Sequence, residues 1–187
     1  IEVSLVQKFI LFLGHPTVAI SVLLFSLLFS SGIGSLCGRK WRASLRTTLR
    51  ISLIIGIIAI YYTLLLSPLL KMFFSYDSAS RFFISIALLF PLGFFMGIPF
   101  PSGIRTLERR SQTDIAWMWG LNGVFSLLGS ILALAVAMSL GFDATFLFGG
   151  LSYLTIFAFG HFKLRMEKET VAEVERKEKG RRKRRKK

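Results

Sequence analysis

Acidic residues, histidine and cysteine are all scarce in this sequence, and each scarcity closes off a class of chemistry. The 187-residue chain holds ten Asp and Glu, two His and one Cys. A single cysteine, Cys37, excludes an internal disulfide and leaves the redox compartment open. It falls near a predicted membrane boundary, where service as a small apolar residue is simpler than lipid acylation. The chain contains no HExxH, no CxxC and no glycine-rich loop between strand and helix. The reading therefore assigns no catalytic residue, no cofactor and no metal ligand, and leaves enzymatic activity open. His15 and His161 are the only imidazoles, and the topology below puts them at opposite faces of a membrane, where they cannot cooperate.

What the chain has in abundance is apolar. Its composition is 53% hydrophobic with 19 Phe, and the mean hydropathy is +0.61. A soluble domain rarely carries such long apolar runs. A helix needs ~20 residues to cross a bilayer. Five complete spans of that order are expected near residues 17–37, 51–70, 82–100, 115–140 and 142–162. Residues 1–14 are apolar but too short to span. They read as the outer end of a truncated membrane helix, stopped by Gly14-His15-Pro16, or else as an interfacial helix. The expected fold is an all-α, multi-pass membrane helix bundle: a five-span domain over 15–162, preceded by that helix end and followed by a basic tail over 163–187.

The net charge of +14 is unevenly placed. Arg39, Lys40, Arg42, Arg46 and Arg50 crowd the segment after the first span, Arg105, Arg109 and Arg110 the one after the third, and RRKRRKK closes the tail. The loops between hold only Lys71 and Arg81. This alternation predicts cytoplasmic basic segments by the positive-inside rule. The N-terminal end would then lie outside and the tail in the cytoplasm, in the cell (inner) membrane. Trp41, Tyr76 and Trp117 fall near the expected interfaces, as an aromatic belt would. No basic patch beside a folded reading surface suggests nucleic acid.

The stretch PLGFFMGIPFPSGIR, residues 91–105, organises the reading. Gly93 and Gly97 form a GxxxG pair that permits close helix approach in lipid. Pro99 and Pro101 lack an N–H and are expected to end the third span, with Ser102 capping a short polar segment that carries Arg105, Glu108, Arg109 and Arg110. A kinked helix whose glycines serve packing is the simpler account; a transporter's discontinuous helix is the alternative. Gly32, Gly34 and Gly38 lie at the far end of the first span, and Gly120, Gly123, Ser126, Gly129 and Ser130 line the fourth as a packing seam.

Between Thr17 and Leu140 no span contains an ionisable side chain, which argues against autonomous ion coupling. Asn122 is the strongly polar exception, roughly 10 Å from the cytoplasmic face at 1.5 Å per residue. An interhelical hydrogen bond is its simplest role. If residues 1–14 are half a helix, Glu2 lies roughly 18 Å from the outer boundary of a ~30 Å core. Ser30, Ser31, Gly32 and Gly97 reach a similar layer by the same count. Lys8 stands on another face of the helix from Glu2. A buried carboxyl requires a partner or a proton, so Glu2 and Asn122 are expected to share an intramembrane polar layer with Ser30 and Ser31. In the tail, Arg181, Arg182, Lys183, Arg184 and Arg185 are candidates for anionic lipid headgroups, or simply a solvated orientation signal. EKETVAEVERKEK before them has helix-forming composition and is expected to extend the fifth span.

Three segments carry a resemblance: EVSLVQKFILFLGHPTVAISVLLFSLLFSSGIGSL, PLGFFMGIPFPSGIR and WMWGLNGVFSLLGSILALAVAMSLGF. Together they resemble the C-terminal membrane region of spermidine-synthase-like integral membrane proteins, over roughly residues 2–158. The matching positions are Glu2, Gln7, Gly14, His15, Pro16, Gly32, Gly34, Pro91, Gly97, Pro99, Pro101, Arg105, Trp119, Gly120, Asn122 and Gly123. The resemblance implies a Rossmann-like aminopropyltransferase or methyltransferase domain upstream. The chain begins without methionine and is read as a piece of a longer protein. The glycine loop for decarboxylated S-adenosylmethionine and the acids for a polyamine have no counterpart here, so no catalytic residue carries over and any transferase activity would reside upstream.

Three functions follow as expectations: a membrane domain that anchors and orients that transferase domain, a transport or lipid-handling domain with a cavity among its helices, or a structural subunit of a membrane complex. The partners are the bilayer, anionic lipids at the tail, and the upstream domain or a complex partner.

Overall fold

A computed structural model of the chain describes the backbone of residues 1–41, 44–107 and 112–185, and the side chains of 1–41, 44–106 and 115–166. Among the described residues the chain is helical with no β-strand. Seven helices follow in order: α1 (Glu2–Leu13), α2 (Pro16–Gly38), α3 (Leu45–Met72), α4 (Ser78–Met96), α5 (Pro99–Leu107), α6 (Gln112–Leu140) and α7 (Phe142–Arg185). Five stretches are long and apolar enough to cross a membrane: Pro16–Gly38, Leu45–Met72, Ser78–Thr106, Ile115–Leu140 and Phe142–Met166. The fold is thus the expected all-α bundle.

Local chemistry sets the helix ends. Gly14 adopts φ 81°, the left-handed conformation that glycine takes without strain, and its N–H bonds the Ile10 carbonyl to close α1. Pro16 then opens α2 at a position with no helical N–H to lose. Asp77 caps α4, its carboxylate accepting the N–H groups of Ala79 and Ser80 at 3.1 Å.

The helices pack as two close pairs, α2 with α4 and α3 with α7, with α1 against members of both. Leu5, Phe9 and Phe12 of this short helix are fully or almost fully buried. They meet Leu23, Leu27, Ile55, Leu89, Leu92 and Phe146 in one continuous core. α1 therefore lies enclosed by longer helices rather than along the outside of them.

Three boundaries depart from the expectations. α3 begins at Leu45, so Arg46 and Arg50 are helical rather than part of a loop. It also runs through Pro68 to Met72, because a proline so near a C-terminus removes one hydrogen bond without stopping the turn. The third departure corrects the reading of the double proline. α4 ends at Met96, Gly97 and Ile98 make the break, and Pro99 starts α5 instead of closing the span. Proline fits the first turn of a helix, where its missing N–H is no loss. Ser102 is consequently inside α5, its N–H bonded to the Ile98 carbonyl at 3.2 Å. At the other end, the backbone of α7 continues without interruption from its apolar part to Arg185. Arg42, Glu108, Arg109 and Arg110, and the side chains of Arg181, Arg182, Lys183, Arg184 and Arg185, lie outside the described residues.

Candidate functional site

The α2–α4 contact is built on missing side chains. A Cβ on Gly34 would fall on the Phe94 carbonyl, one on Gly97 on the Ser31 backbone, and one on Gly93 on the Ser30 hydroxyl. Ser30 is buried, and its Oγ–H donates to the Ser26 carbonyl at 2.5 Å, so its polarity is spent within its own helix. The two backbones approach as closely as small residues allow, which is how helices associate where lipid offers no hydrophobic drive.

Toward the basic end this seam opens into a groove of about 420 Å³, where α1 begins and α4 breaks. Its lining includes Glu2, Ser31, Gly32, Ser35, Gly97 and Pro101. Glu2 is exposed, with its carboxylate in a largely apolar setting. Ser31 donates its hydroxyl to the Leu28 carbonyl at 3.0 Å and keeps only acceptor capacity. The groove can thus accept hydrogen bonds or hold a cation, and it offers no nucleophile–base pair. Among the described residues no group of three His, Cys, Asp or Glu could hold a metal ion.

The structure therefore brings Glu2 together with Ser31, Gly32 and Gly97, but not with Asn122, which is exposed on α6 and absent from this lining. α6 differs from every other helix. All residues from Trp119 to Leu132 are exposed. A helix lying against a bundle buries one face every turn, and from Gly120 to Leu132 this stretch buries none. Open space surrounds Gly120, Gly123 and Gly129. The basic end of α6 is held by an edge-on contact of Trp119 with Phe100, ring centroids 5.0 Å apart, and by Met118 near Gly103. Ala137 is buried near its other end.

Sequence reasoning missed three cations that tie helices together. Lys8 is nearly buried, and its ammonium contacts Asp143 at 2.5 Å and donates to the Ser67 hydroxyl at 2.6 Å, joining α1, α7 and α3. Arg81 of α4 donates to the Phe12 carbonyl at 3.0 Å, at the C-terminus of α1. Arg105 of α5 donates to the Gly38 carbonyl at 3.0 Å, at the C-terminus of α2. Both guanidinium groups donate to a carbonyl at a helix C-terminus and oppose its negative dipole; the Gly38 carbonyl also accepts the Trp41 N–H at 3.2 Å. For Lys8 and Arg81 the available signal was isolation, Lys8 in an apolar stretch and Arg81 in a loop poor in charge; Arg105 stood among other charges and gave none. His15 and His161 are not brought together; His161 instead lies against Phe157, ring centroids 5.7 Å apart.

Fold and lining define a class, a multi-pass membrane-embedded helical domain. No family model, curated protein or solved structure was found to match the chain.

Proposed function

We propose that this chain is the membrane module of a larger protein, one that anchors and orients a Rossmann-like transferase domain at the bilayer. The observation that carries the reading is the stretch from Trp119 to Leu132, a helix exposed around its whole circumference beside the groove at Glu2. Its glycines meet nothing among the described residues, and a module built to receive further helices would have such a face. The resemblance to spermidine-synthase-like membrane proteins supports the same assignment. The test is the open reading frame that encodes the chain. An in-frame segment with a glycine loop between strand and helix, and transfer from an S-adenosyl donor by the whole protein, would support the reading. A frame without such a segment would refute it and leave a structural subunit of a membrane complex.

In this reading the basic segments face the cytoplasm of the cell membrane and the Ser78 turn faces outside. Single cysteines at Ser78 and Ser111, in a Cys37→Ser background, check the orientation. A membrane-impermeant thiol reagent applied to intact cells is expected to label Ser78→Cys alone, and labelling of Ser111→Cys alone would reverse it.

A transport or lipid-handling role is the second reading, favoured by the carboxylate of Glu2 in an intramembrane groove. Glu2→Gln would abolish movement of a cationic substrate in that case, and would leave an anchor unaffected.

A further inference from the structure

A second opening lies at the basic end of the other close pair, between α3 and α7, and shares no lining residue with the Glu2 groove. The two helices run antiparallel. Gly56 meets Leu154, Gly150 meets Ala59, and Leu49 fills the space left by Gly160. Alongside the Leu49 contact, from Leu53 and Phe157 to Arg46 and Arg165, lies a cleft of about 460 Å³. Its walls are apolar, formed by Leu49, Leu53, Phe157 and Leu164, and Arg46, Arg50, His161 and Arg165 complete the lining. Helical spacing explains the arrangement. Arg46 and Arg50 are one turn apart on α3, as are His161 and Arg165 on α7, so both helices present cationic or imidazole side chains to the same opening. Among the described residues no carboxylate is part of the lining.

We propose that this cleft binds an anionic phospholipid, its phosphate between Arg46 and Arg50 of α3 and His161 of α7, and one acyl chain along Leu49, Leu53, Phe157 and Leu164. Two physical points decide for a lipid over a free anion. Guanidinium groups match phosphate oxygens with paired donors, but a lone phosphate would use only the mouth and leave the apolar wall empty. The position is also where a headgroup sits: Arg46 and Arg50 occupy the first turns of an apolar span, and His161 and Arg165 the last turns of another. Charge complementarity names the ligand class, and the continuity of cationic mouth and apolar wall names its two parts. The site is distinct from the RRKRRKK tail and independent of the anchoring role.

Native mass spectrometry of the purified full chain in detergent tests this, with phosphatidylglycerol, phosphatidylcholine and inorganic phosphate titrated separately. Wild-type protein is expected to retain one phosphatidylglycerol in preference to phosphatidylcholine. The double variant Arg46→Gln/Arg50→Gln should weaken phosphatidylglycerol binding roughly tenfold to thirtyfold, as expected for two arginines near a membrane surface. Leu53→Trp, which fills the wall without changing charge, should weaken it as well. Lys183→Gln/Arg184→Gln in the tail should leave it unchanged. Equal binding of the two lipids, or inorganic phosphate binding as tightly as phosphatidylglycerol, would overturn the proposal. So would loss of binding in the tail variant with retention in the α3 variant. Should the glutamine variant fail to fold, Arg46→Lys/Arg50→Lys keeps the charge without the planar donor pair. Weakened phosphatidylglycerol binding there supports the site, and unchanged binding overturns the phosphate contact.

Discussion

α4 and α6 are both apolar helices punctuated by glycine, and they end up in opposite circumstances. On α4 and at its C-terminal break, Gly93 and Gly97 lie directly against α2, with no room for a methyl group. On α6, Gly120, Gly123 and Gly129 have nothing within van der Waals reach. The difference is in what faces them. α2 supplies its own small residues, Ser30, Ser31 and Gly34, so two backbones meet, and among the described residues nothing lies against the glycines of α6. Small residues permit close approach, but only a complementary partner produces it.

The comparison can be broken first at its packed side. Gly34→Leu or Gly97→Leu must push backbone rather than a flexible side-chain tip, so each should cost about 3 kcal/mol or more and lower the folded yield sharply. Thermal melts in detergent that matched wild type would show that the α2–α4 contact is not as close as described. A smaller effect is expected outside both seams, at Asp143→Asn. That change removes the opposite charge and leaves the nearly buried Lys8 only neutral acceptors, at a cost of about 1 kcal/mol given the exposure of Asp143 itself. A double-mutant cycle with Lys8→Met measures the coupling, and additive effects would mean that the pair contributes nothing.

The cap of α4 gives a pH-dependent contrast with α6. The Ser80 hydroxyl foremost, with the Ser80 and Ala79 N–H groups, holds the Asp77 carboxyl below its ordinary range. A carboxyl whose folded-state pKa is depressed stabilises fully above its unfolded pKa of about 3.9 and loses that contribution as pH falls through the folded value. Asp77→Ala should therefore destabilise at neutral pH and flatten the loss of stability on the acid side. Parallel melting curves for the two proteins from neutral to about pH 3 would contradict the cap. Least of all is expected on α6, where Gly120→Leu and Gly123→Leu should shift stability by no more than about 0.5 kcal/mol in the isolated chain. A large loss there would place an unrecognised partner against that face.

The helices themselves were legible because a span announces itself by length and hydropathy alone. Their limits were less so. LRTTLR and PFPSGIRTL read as loops by charge and proline, yet both are helical, since arginine is a good helix former and proline suits a first turn. Gly34, Gly93 and Gly97 could be flagged from spacing, but the same spacing flagged Gly120 and Gly123, and only coordinates separate the two sets. Glu2 and Asn122 were placed at one depth by counting residues, which fixes height and says nothing of bearing around the bundle. Lys8, Arg81 and Arg105 were illegible as ties because their partners are distant in sequence and two of them are backbone carbonyls. Composition cannot encode such contacts.

The ion pair between Lys8 and Asp143 also has a consequence in time. The ammonium is made 135 residues before its carboxylate. At roughly 5 to 20 residues per second, the ribosome leaves Lys8 without that partner for on the order of ten seconds. α1 must wait for α7 before the centre of the bundle can close. Until then its cation lacks that carboxylate, and the arrival of α7 decides when α1 settles.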